Sequence, residues 1–113
     1  MIPDIVPDYV SELAAVVGDS ARWLSTIPES SSERRPAADK WSAKEIVGHL
    51  VDSASNNHQR FVRARWADDL VFPTYDQDAW VSAQQYQHAP WGELVTLWRT
   101  FQLSAARFAS TMS

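Results

Sequence analysis

At 113 residues and 12.8 kDa the chain has the size of one domain spanning 1–113, and 45% hydrophobic residues suit a single packed core. A formal charge of -4 with no lysine block or arginine stripe argues against nucleic acid as a partner, and the lack of cysteine excludes disulfides, a thiol nucleophile and thiolate metal ligation. No stretch approaches the ~18–20 apolar residues of a membrane span and MIPDIVPDYV has no basic leader region, so the expected setting is the cytoplasm, away from the bilayer.

From Pro7 to Ile27, the residues Val10, Leu13, Ala14, Val17, Ala21 and Leu24 recur at three- and four-residue steps, which predicts a helix stopped near Pro28. The run PESSSERRPAADK mixes serine, proline and charge without periodicity and reads as an exposed connection. After Trp41, Ser42 and Glu45 have the spacing of a capping box and start a second helix. It should reach about Trp66, with Ile46, Val47, Leu50, Ala54 and Phe61 as its apolar flank.

Residues 68–78, with Pro73 and clustered aspartates, read as a loop leading into a short helical piece around Ala79 to Gln87. Pro90 suits a first helical position, and Trp91, Leu94, Trp98, Phe101, Ala105, Phe108 and Met112 then step through three heptads as a narrow apolar seam. The fold class is all-α, an up-and-down helical bundle of three long helices and a short one. That count leaves a place to fill, by the short segment, a second copy of the chain or a helix outside this sequence.

At 100° per residue, Glu45, His49, Asp52, Ser53, Asn56 and Arg60 share one polar strip on the second helix, beside its apolar flank. Such a strip can satisfy itself as a structural network, or present ligands and a substrate clamp to a cavity. His58, nine positions past His49, points to the other side of the helix and is expected at a solvated or partner-facing position. His88 falls in a turn beside Pro90. No HxxxH or HExxH pair, glycine-rich phosphate loop or GxSxG elbow occurs, so no recognised motif assembles a three-ligand metal site.

Trp41-Ser42, Glu45, Gly48-His49-Leu50, Asp52-Ser53, Asn56 and Arg60-Phe61, followed by Pro73, Tyr75-Asp76 and Trp80, together resemble the DinB/YfiT-like superfamily. The resemblance covers most of the chain from Trp41 onward. It implies a four-helix bundle that binds a divalent metal, zinc or nickel, commonly through three histidines, with hydrolase or thiol-dependent transferase and isomerase activities among its members. It carries one metal ligand onto His49, and makes Asp52, Asn56 and Arg60 contacts behind that ligand or to substrate. Tyr75, Asp76 and Trp80 would line the cavity.

In that family the other two histidines generally lie on a last helix, which would follow Met112. The expectation is therefore a domain with an incomplete metal site, inactive alone, whose substrate would be a small molecule or thiol. The alternative is a non-enzymatic module that forms a homodimer through an exposed seam of Trp91, Trp98, Phe101 and Phe108, burying what a fourth helix would cover.

Overall fold

A computed structural model describes residues 5–66 and 74–110, with side chains for 11–66 and 74–108. Pro73, most of the expected loop, the Val10 side chain and Met112 lie outside the described residues. The chain forms α1 (Ile5–Ser25), α2 (Glu29–Ser32), α3 (Ala43–Ala64), α4 (Gln77–Gln84), a 3-10 turn (Tyr86–His88) and α5 (Trp91–Ser110), with no strand among the described residues. None of these helices is long and apolar enough to cross a membrane.

Both α1 and α3 pack chiefly on α5. The core gathers where the end of α1 meets the starts of α3 and α5: Ala21, Val47, Val81, Tyr86, Trp91, Leu94 and Val95 are buried there, with Leu24, Ile27, Trp41 and Trp98 packed around them. Trp91 closes this end, its indole N–H donating to the Leu24 carbonyl at 2.9 Å. Farther along, Leu13 of α1 shares a groove with Ala105 and Phe108 of α5. The two helices therefore run in opposite senses. His58 of α3 meets Phe101 and Phe108 edge-on, at 6.0 and 5.5 Å, so α3 runs in the same sense as α5. The chain makes that possible by returning through α4 and the 3-10 turn.

The serine-rich connection departs from its expected form. It holds a helical turn, α2, whose Ser32 is wholly buried. The reason is electrostatic. Lys44, only 3% exposed, is met by Glu29 at 2.6 Å and Glu33 at 3.3 Å, and a buried ammonium needs such partners. Burial alone would lower the Lys44 pKa, but these two carboxylates outweigh it and raise it. The Glu29 carboxylate also accepts the Trp91 backbone N–H at 3.1 Å, capping α5 from outside that helix.

On α5, Trp91 departs from the expected exposed seam. Trp91 is 3% exposed and belongs to the core of its own chain, so it offers nothing to a partner. Trp98 packs beside it, and Phe101 and Phe108 are half-buried against His58. The first turns of the heptad pattern pack within the chain, while Ala105 and Phe108 line a groove that stays open. The larger exposed apolar side chains stand elsewhere, among them Val16 and Trp23 on α1 and Leu50 and Phe61 on α3.

Candidate functional site

The start of α3 is fixed by its cap. Ser42 Oγ accepts the Glu45 N–H at 3.2 Å and Glu45 Oε1 accepts the Ser42 N–H at 3.1 Å, closing the capping box. Arg35 grips the same carboxylate with two nitrogens, at 2.8 and 2.9 Å. That guanidinium holds the Glu45 carboxyl below the usual carboxylate range, against the effect of burial and with help from the Ser42 N–H. Glu45 is thereby committed to anchoring the helix, although it shares the polar strip.

One turn on, the His49 ring packs against Trp41 at a tilt of 41°, with centroids 5.2 Å apart. The ring is half-buried, and its Nδ1 is buried with no hydrogen-bond partner. Asp52 is 1% exposed. Its Oδ1 accepts from Tyr86 OH at 2.6 Å and from Gln84 Nε2 at 3.1 Å, while Oδ2 is buried and unmet. Burial first, then donation to Asp52, raises the Tyr86 pKa well above the ordinary phenol value. Asn56 is buried and donates to the Asp52 carbonyl at 2.9 Å. Arg60 is half-buried one turn farther along.

Tyr75 and Trp80 come to this side of α3. Tyr75 OH and Ser53 Oγ lie 2.7 Å apart, and the Tyr75 and Trp80 rings meet edge-on at 5.3 Å. Ser53 follows His49 by four positions, so the aromatic pair stands beside the imidazole face of the helix. Asp76 does something different. It caps α4 by accepting the Ala79 N–H at 3.1 Å and is exposed.

His58 is half-buried rather than solvated, its ring packed edge-on against the α5 phenylalanines. Sequence reasoning missed Tyr86 and Gln84, which lie in the glutamine-rich stretch 84–87 with no periodic signal. It also missed what Gly48 does. A glycine inside a helix signals a close approach, and here a Cβ would overlap the Tyr86 ring.

A zinc or nickel site needs three or four nitrogen or oxygen donors converging on one point. Among the described residues no group of three His, Asp or Glu side chains is so placed. His49 supplies one imidazole, Glu45 is held by Arg35, and Asp52 is turned toward Tyr86. The described donors do not make up a metal centre by themselves.

A family model described as the DinB superfamily matches residues 12–112. Comparison with curated proteins gave no match, and comparison with solved structures gave none.

Proposed function

This chain belongs to the DinB superfamily, and from that premise we propose that it is a metal-site domain in which His49 is one donor of a centre that the described residues alone do not complete. On this reading the described residues alone do not form a working metal centre. The observation that carries this reading is the His49 imidazole, half-buried against Trp41 with no side chain among the described residues hydrogen-bonded to it. The neighbouring Ser53–Tyr75 pair and the Trp80 ring supply polar and apolar contacts for a small-molecule or thiol substrate beside it. The cytoplasm, where thiols stay reduced, is the setting that fits.

Equilibrium dialysis of the purified chain against zinc or nickel, with metal analysis, tests this. The expected result is weak binding that falls by roughly tenfold or more, about 1.4 kcal/mol, in His49→Ala. Tight stoichiometric binding by the single chain would overturn the incomplete centre. Binding indifferent to His49→Ala would overturn the assignment of the ligand.

A second reading is favoured by one observation. A groove of about 480 Å³ between α1, α3 and α5 has a largely apolar lining that includes Leu13, Leu50, Phe61 and Phe108. On this reading two copies associate through it. Sedimentation would then report a dimer that Phe61→Asp dissociates, and a monomer at all accessible concentrations would end the idea.

A further inference from the structure

Two buried polar atoms on α3, His49 Nδ1 and Asp52 Oδ2, have no hydrogen-bond partner. They belong to residues three positions apart, which are neighbours on a helix surface with Cβ atoms about 5–6 Å apart. Helical side chains lean over the preceding turn, which carries the Asp52 carboxylate back toward Gly48 and His49. Its other oxygen is already occupied by Tyr86 OH and Gln84 Nε2. One of the two unmet atoms is an acceptor, and the other belongs to an imidazole that carries a proton on one nitrogen or the other.

We propose that Asp52 is a positioning residue for His49. Its Oδ2 accepts the Nδ1 proton, so the neutral ring keeps its lone pair on Nε2, while Tyr86 and Gln84 brace the carboxylate from the opposite side. Each unmet atom is then the partner that the other lacks; the structure holds no hydrogen bond between them, so the contact requires the ring to turn toward the carboxylate. No proton leaves the ring: Nδ1 keeps it and shares it with Oδ2 in the hydrogen bond. For its consequence the proposal rests on the reading of His49 as a donor, since Nε2 becomes the nitrogen presented outward. The carboxylate behind an imidazole is also what fixes tautomer and ring angle at sites that use one.

The test is long-range ¹H–¹⁵N NMR of the full, metal-free chain with labelled histidine, at a pH well above the ordinary imidazole value. In the unmutated chain His49 should show a protonated Nδ1 and a bare Nε2. Asp52→Ala should move it to the Nε2–H form that free imidazole side chains prefer. Tyr86→Phe should give a mixture, and His58 and His88 should stay unchanged as internal references. An Nε2–H tautomer in the unmutated chain overturns the proposal, as does an Asp52→Ala spectrum identical to it. Should Asp52→Ala not fold, the unmutated chain and Tyr86→Phe still decide. Because no metal is present, a wrong tautomer counts against Asp52 alone. A correct tautomer with no metal binding counts against the reading of His49 as a ligand.

Discussion

Gly48 lies so close beneath the Tyr86 ring that a single Cβ would occupy the space of the ring carbons. The contact lets the 3-10 turn press directly on the backbone of α3, and it brings the Tyr86 hydroxyl to Asp52. Gly48→Ala would be a good helix substitution on propensity alone. Here it forces the ring away and leaves Asp52 Oδ1 without its shortest donor. We expect a loss of about 2–3 kcal/mol in chemical denaturation, the range of overpacking with a broken buried hydrogen bond. A neutral or stabilising effect would show that the ring gives way at no cost.

Tyr86→Phe separates the hydroxyl from the ring. The apolar contact with Gly48 stays, and the buried carboxylate loses a 2.6 Å donor. Stability should fall by about 1–3 kcal/mol, the usual cost of leaving a buried acceptor unmet. Equal losses in Tyr86→Phe and Gly48→Ala would mean that the hydrogen bond carries the whole effect.

Acid should weaken the fold through Glu45. Its carboxyl is held low, first by Arg35 and then by the Ser42 N–H, with burial opposing. The folded pKa therefore lies below the unfolded one, about 4.3 for glutamate. The stability this pair contributes is present above that unfolded value and is lost as pH falls through the folded value. Glu29 moves in the same direction, first through Lys44 and then through the Trp91 N–H. Urea midpoints measured from about pH 6 to about pH 3 should fall less steeply in Glu45→Gln than in the unmutated chain. Parallel profiles would remove Glu45 from the account. Arg35 is half-exposed, so added salt should flatten the difference.

Trp91 distinguishes a core from an interface. Its burial and its bond to Leu24 place it inside one chain. Trp91→Ala should cost about 3–5 kcal/mol at any protein concentration, as large aromatic deletions do. A loss that shrinks as concentration rises would instead mark Trp91 as part of an association surface.

Much of the fold was legible because it is written in local patterns. Ser42 and Glu45 marked the start of α3, and the heptad steps of α5 named Trp91, Leu94 and Trp98 of the core, although Val95 and Ala106 are as deeply buried and fall outside them. The patterns could not say what the seam faces, since three- and four-residue steps look the same whether α1 or a second chain covers them. The turn α2 was hidden for a related reason: it exists to bring Glu29 and Glu33 to a buried lysine more than ten positions on, a tertiary demand with no local signature. Family resemblance pointed to His49 and to the Tyr75–Trp80 pair, and the structure puts that pair beside Ser53. Tyr86 was illegible, because its meaning depends on a glycine and an aspartate brought to it only by the return of the chain.

The bond from Trp91 to Leu24 spans 67 positions of sequence. During synthesis the apolar face of α1, including Ala21, therefore emerges long before the helix that will cover it exists. Of these helices α1 is made before the others and is among the last to be sheltered. Folding of this domain is for that reason gated by the arrival of α5, and a ribosome stalled between α4 and α5 would display the sticky side of α1 to whatever chaperone or neighbouring nascent chain reaches it first.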